Sequence, residues 1–163
     1  MLFTSVCFAE TKHLSNDPIE LDITTHLGDR QTFKQGDVIS FMVSLDKNAY
    51  LSLIYQDASG DLIQILPNKL SSHHFYKAGL FLAIPNSEQP FRFTVSPPYG
   101  EETLWGFASS KPLPTLTGQP RPNGFVFVGK DISSILTLFR SHQEGIRYGE
   151  ATTRLTTIED QPD

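Results

Sequence analysis

Cysteine is almost absent. Cys7 is the only one in 163 residues, so no intrachain disulfide can form and the core has to hold by packing alone. Runs of positive charge are missing too. Thirteen Lys and Arg are scattered singly against eighteen Asp and Glu, a formal net charge of −5. That balance excludes a basic phosphate-tracking surface and argues against nucleic acid or an anionic membrane as partner. No run approaches the ~18 apolar residues of a transmembrane helix. There is no Gly-x-Ser-x-Gly elbow, no Walker loop and no Gly-x-Gly-x-x-Gly, hence no case for a serine hydrolase, ATP or a dinucleotide. No cofactor is expected. No repeat of about 20–50 residues is visible.

What is present suits a β-rich domain. Apolar residues make up 39% and charged residues 19%, as in ordinary globular chains, and eleven Pro, eleven Gly and twelve Phe supply many turns and a bulky core. The length fits one domain, expected over residues 10–163. Residues 1–9, Met1 to Ala9, are apolar and uncharged and precede polar sequence. That is the pattern at the end of a secretory signal peptide, with the cut after Ala9. No Lys or Arg precedes the apolar stretch and nine residues are short for a leader, so residues 1–9 are read as a remnant whose start lies upstream. The expected location is periplasmic or secreted; the alternative is a cytoplasmic chain beginning with an ordinary N-terminus or a first strand. Val6 stands where a lipoprotein site wants Gly, Ala or Ser, which disfavours lipid attachment at Cys7.

The periodicity predicts about eight strands and one late helix. Ile19, Leu21 and Ile23 alternate with Glu20, Asp22 and Thr24. Gly36-Asp37 turns the chain into the clearest period-2 stretch, with Ile39, Phe41, Val43 and Leu45 on one face. Residues 49–56 are nearly all apolar and read as a central strand, with Tyr50 expected to bury its ring. Asp57 and Gly60 form a turn, since Asp bonds its own backbone and Gly accepts positive φ. Residues 61–66 return as a strand that Pro67-Asn68 ends. Further strands are expected at 80–84, 91–95, 103–109 and 151–158, with a surface loop at 110–124. Asp131 is placed to cap a helix running to about His142, with Ile132, Ile135, Leu136 and Phe139 on one face and Gly145 at its end. Strands at this spacing predict a mainly-β, Ig-like sandwich, with the helix over one end or a sheet edge.

Gly36-Asp37 before an alternating strand, Ala49-Tyr50-Leu51, the Asp57 to Gly60 turn and Leu66-Pro67-Asn68 also form a family pattern. It continues through Ala78-Gly79, Ile84-Pro85, Phe91-Arg92-Phe93, Pro98-x-Gly100-x-Glu102 and Ala108 to Leu113. In this order the segments resemble the bacterial domain of unknown function 4384. The resemblance covers about residues 33–113 and leaves 114–163 as a C-terminal extension. It implies a small β-rich module, common in exported bacterial proteins and beside kinase-like, caspase-like or repeat domains. It carries no established catalytic residue to transfer.

The adjacent pair His73 and His74 is the best metal candidate, with His13, His26 and His142 as helpers, because both rings of a loop pair can reach one ion. No carboxylate or Cys stands nearby at ligand spacing, so a solvated loop pair is favoured and no metal is expected. Asp57, Ser59 and Asp61 imitate the first ligands of a calcium loop, but no bidentate Glu follows and a hairpin turn is favoured. Glu101 and Glu102 are neighbours on an extended chain and point opposite ways, so they make no acid/base pair; a solvated loop end is expected for both. Tyr50, Tyr55, Tyr76, Tyr99 and Trp105 offer an aromatic cleft for a glycan or peptide, and Tyr76, Tyr99 and Trp105 are the candidate ligand surface.

The sequence therefore points to a non-enzymatic exported recognition or adaptor module. It would bind a protein or cell-envelope component through the 69–79 and 96–102 loops or an edge strand, with 151–158 as the expected edge. Two alternatives stand beside it: a metal-dependent protein or enzyme using His73 and His74, and a regulatory or sensor domain working with a separately encoded kinase, protease or secretion component.

Overall fold

A computed structural model describes residues 17–160. The elements follow the turn signals: β1 (Leu21–Thr25), β2 (Thr32–Lys34), β3 (Val38–Ile39), β4 (Phe41–Leu45), β5 (Ala49–Gln56), β6 (Leu62–Leu66) and β7 (Phe75–Tyr76). After these come β8 (Leu82–Ile84), β9 (Phe93–Thr94), β10 (Glu101–Ser109), β11 (Gln119–Pro120), β12 (Val126–Gly129), α1 (Ile132–Ser141) and β13 (Tyr148–Ile158).

The larger sheet has the order β11-β12-β6-β5-β10-β13-β2, and β7 pairs with the start of β5 on the side that β6 leaves free. All its pairings are antiparallel except β13 with β2. A smaller sheet, β1-β4-β8, and a ribbon of β3 with β9 complete a mainly-β, sandwich-like fold.

β5 is where the layers meet. Its alternation sends Leu51, Leu53 and Tyr55 inward, onto Phe41 and Val43 of β4 and Leu21 and Ile23 of β1. Its opposite face carries Ile54, which packs with Phe107 of β10 and with Ile135 and Phe139 of α1. Leu51, Leu53 and Ile54 are fully buried, and each contributes roughly 1.5–3 kcal/mol by leaving water. A strand covered on both faces explains the near-continuous apolar run. In β6 the register with β5 shifts between Leu53 and Ile54, so that Leu66 and Gln64 oppose them and Ile65 is extra. This bulge turns both Ile65 and Leu66 inward while Gln64 faces outward.

The helix follows its sequence signals closely at the start. The Asp131 carboxylate accepts the Ser133 N–H at 3.0 Å, as an N-cap must. Its apolar stripe, Ile135 and Phe139, lies on the outer face of the larger sheet, with the Phe139 ring edge-on to Phe107 at 4.9 Å. Arg140 then clasps Glu150 of β13 through Nε at 2.7 Å and Nη2 at 2.6 Å. This fork holds the Glu150 carboxyl below the usual carboxylate range.

Several expectations change. The helix covers a sheet face, not an end or an edge, because β5, β6 and β10 expose a second apolar stripe that needs a cover. The 151–158 segment is an outer edge only in part: β13 pairs with β10 over nine residues, β2 covers its other side at Thr156–Ile158, and among the described residues no second strand pairs with 151–155. Thr-rich alternation cannot tell an edge from a strand whose second neighbour comes from far away in sequence. The 110–124 loop contains β11, and its Leu113 and Leu116 pack on the helix layer. Gly145 serves the turn from Gln143 to Ile146, three residues beyond the helix cap at His142. Among the described residues thirteen strands form where about eight were expected, the excess being mostly two-residue pairings that leave no periodic trace.

Candidate functional site

Two concave sites flank β5, one on each face of the larger sheet. The outer cleft, about 110 Å³, lies between the sheet and the 112–116 segment. Tyr50, Ser52 and Gln64 form its floor, while Pro112, Leu113 and Pro114 and the end of α1 at Phe139 form a wall. The prolines keep this wall extended and free of a ladder of its own. Gln64 is 8% exposed; its Nε2 donates to the Pro67 carbonyl at 2.8 Å, while Oε1 is buried and has no partner among the described residues. A buried acceptor left unpaired costs about 1–3 kcal/mol. Tyr50 and His74 close the other side, their rings 5.3 Å apart.

The inner pocket, about 120 Å³, opens between the 92–98 segment and the ends of β5 and β10. Its floor is a buried pair: the Tyr55 hydroxyl donates to Glu102 Oε2. Glu102 is 4% exposed, and burial pushes its carboxyl from 4.5 up to about 7, against the opposing help of hydrogen bonds from the Thr157 side chain and the Ala58 backbone. Phe93 and Phe125 wall the pocket, with Tyr55 and Phe93 edge-on at 4.4 Å.

The residues singled out from the sequence divide between these sites and the scaffold. Gly36 has φ +86, and the Asp37 carboxylate accepts the Lys34 N–H at 2.8 Å, so the pair shapes a turn that is tied to Val95 through two backbone hydrogen bonds. Asp57 Oδ1 accepts from the N–H groups of Ser59 and Asp61, both at 2.9 Å, and Gly60 supplies φ +86. Asn68 is buried and bonded through both amide atoms: Nδ2 donates to the Ile65 carbonyl, and Oδ1 accepts from the Leu70 and Ser71 N–H groups. Gly100 exchanges two hydrogen bonds with Thr157. Pro67 also lines the outer cleft and Asp57 the inner pocket.

His73 and His74 direct their rings to different partners, Tyr76 at 6.0 Å and Tyr50 at 5.3 Å. His74 Nδ1 is also bound to the Ser72 carbonyl oxygen at 2.8 Å. Among the described residues no group of three His, Cys, Asp or Glu is placed to hold an ion. His13, Cys7 and the leader pattern at 1–9 lie outside the described residues. The aromatic cleft does not assemble. Trp105 lies on the helix side, its Nε1 donating to Gln56 Oε1 at 3.3 Å, whereas Tyr76 and Tyr99 pack against the inner core. None of the three lines either concavity. Burial raises the hydroxyl pKa of Tyr76 and of Tyr99.

Glu101 and Glu102 do point opposite ways, but they are not a solvated loop end. Glu101 is exposed and accepts the Thr156 hydroxyl at 2.7 Å; Glu102 is inside. The signal was present in the phase of β10, since Glu102 shares parity with the inward Leu104 and Ala108. Gln64 was legible in the same way, as the lone polar residue of Leu-Ile-Gln-Ile-Leu. Ser52 also lines the outer cleft beside His74, but no hydrogen bond joins the two among the described residues, so no nucleophile–base pair is formed.

Residues 32–112 match the family model described as Domain of unknown function (DUF4384). The matched stretch runs from β2 through β10; the strands β12 and β13 that flank β6 and β10 fall outside it. No curated protein and no solved structure gives a significant match.

Proposed function

We propose that this chain, built round a DUF4384-like domain, is a non-enzymatic recognition module that holds a protein ligand in the outer cleft. The observation that carries the reading is the outer cleft itself, an opening between the sheet and the 112–116 segment in which Tyr50, Ser52, Gln64 and His74 set a few polar groups against an apolar wall. Such a cleft suits an apolar side chain of the ligand with a polar group beside it to meet Ser52 or His74. Its volume, about 110 Å³, is below the few hundred Å³ of small-molecule sites and fits a protein contact that inserts one side chain. The cleft takes the place of the edge strand as the favoured surface. His74 brings the 69–79 loop into it, and the 112–116 segment adds a wall from the family boundary. An exported, periplasmic or secreted setting is supported by the Met1 to Ala9 pattern alone.

Photo-crosslinking tests this. Benzoylphenylalanine at Tyr50, beside the cleft, should trap a discrete protein adduct in envelope extract, while the same probe at Asp22 on β1 should not. Equal labelling from both positions, or no adduct at Tyr50, refutes the reading.

A further inference from the structure

Glu102 is not explained by the cleft. It lies on the inner face of β10, in phase with Leu104 and Ala108, where an apolar residue would cost less to bury. The carboxyl is held in place by the Tyr55 hydroxyl, which donates to Oε2, with the Thr157 side chain and the Ala58 backbone close by. A carboxylate has about four acceptor sites, so the Tyr55 bond leaves room for a ligand donor. A pocket of about 120 Å³ opens on that group. At about 30 Å³ per water, it has space for the tip of a ligand, not a whole one.

The pocket walls set the chemistry. Tyr55, Phe93 and Phe125 line the same pocket as the carboxyl, beside the smaller polar side chains of Thr94, Ser96 and Asn123. Two other charged residues face it. Asp57, from the turn after β5, spends Oδ1 on Ser59 and Asp61. Arg92, before β9, is turned toward the chain, its Nη1 donating to the Gln89 carbonyl at 3.0 Å and the Phe91 carbonyl at 2.9 Å. Tyr55 is the remaining titratable group. Aromatic faces around a fixed carboxylate attract a compact cation through both ring quadrupole and charge. We propose that the inner pocket binds a primary ammonium group at the end of an alkyl chain, with Glu102 as counter-ion and Tyr55, Phe93 and Phe125 as walls. The ammonium comes either from a lysine side chain of a partner protein or from a free alkylamine. This site lies across the sheet from the recognition cleft and stands or falls separately from it.

The test uses the full chain and two probes, n-butylamine and Nα-acetyl-lysine amide, with NMR of the Glu102 carboxyl carbon and the Phe93 ring. Binding should shift both signals and lower the titration midpoint of Glu102, since a cation favours the ionised form. Tighter binding of butylamine assigns the site to a free amine; tighter binding of the lysine amide assigns it to a protein side chain. Glu102→Gln should weaken either probe about tenfold or more, and Arg92→Gln should tighten it. An unmoved Glu102 midpoint in the unsubstituted protein at millimolar probe overturns the proposal, and that measurement holds whether or not the Glu102→Gln variant folds. Equal affinity of a folded Glu102→Gln variant overturns it as well.

Discussion

Stability should fall as pH rises through neutrality, against the habit of most proteins, and Glu102 is the reason. Its carboxyl is 4% exposed and burial raises it from 4.5 to about 7. The folded state therefore holds a proton that the unfolded state releases between those values. Stability from this group is complete below about pH 4.5 and is lost as pH climbs through about 7. The change corresponds to roughly 3 kcal/mol, at about 1.4 kcal/mol for each unit of displacement. Groups displaced downward work in another window: Arg140 lowers Glu150, whose contribution disappears only in acid. Urea unfolding between about pH 5 and 8 isolates Glu102 from them. Trp105, the single tryptophan, reports the transition from the helix side of the sheet. The expected result is a midpoint that falls with pH at constant m-value, and a Glu102→Gln variant that is flat over the same range. At the alkaline end the variant should be the more stable protein. A midpoint that rises with pH, or a variant that keeps the wild-type slope, would refute the argument that burial governs this carboxyl.

Three further outcomes follow from packing and hydrogen bonds. Phe139→Ala removes a buried ring from Phe107 and should cost about 3–5 kcal/mol in denaturant titration, with the helix detaching first by hydrogen exchange. Gly149→Ala would bring a methyl carbon 2.0 Å from the Ile19 carbonyl oxygen, a backbone atom held by the Ile19 N–H to Tyr148 bond, and should destabilise by about 1–3 kcal/mol in the same assay. Asn68→Ala removes a donor and an acceptor that satisfy three backbone groups in the buried turn after β6; a loss of about 2–4 kcal/mol in thermal unfolding would mark it as a scaffold residue.

Much of the local structure was legible from residue order. The central strand, the Asp57 to Gly60 turn, the stop at Pro67 and the Asp131 cap each depend on side chains within about four residues of one another. Periodicity reports them because it is itself a local quantity. The site was less legible. Gln64 and Glu102 stand in the right phase of their strands to be noticed, yet a polar residue within an apolar strand signals either a solvated face or a buried group. Deciding between these requires knowing what lies opposite.

The sequence by itself determined the class of the domain, its strand-and-turn grammar, the helix start and the family pattern over the middle of the chain. Tertiary structure decided three other matters. It laid α1 across the outer face of β5 and β10, placed β13 between β10 and β2, and closed the inner layer over Glu102. Each joins residues far apart in the chain: Tyr55 with Glu102, Thr32 with Thr156, Phe107 with Phe139. Alternation tells which face of a strand is apolar. It does not say what will cover that face, and here the cover makes one concavity an apolar cleft and the other a carboxylate pocket.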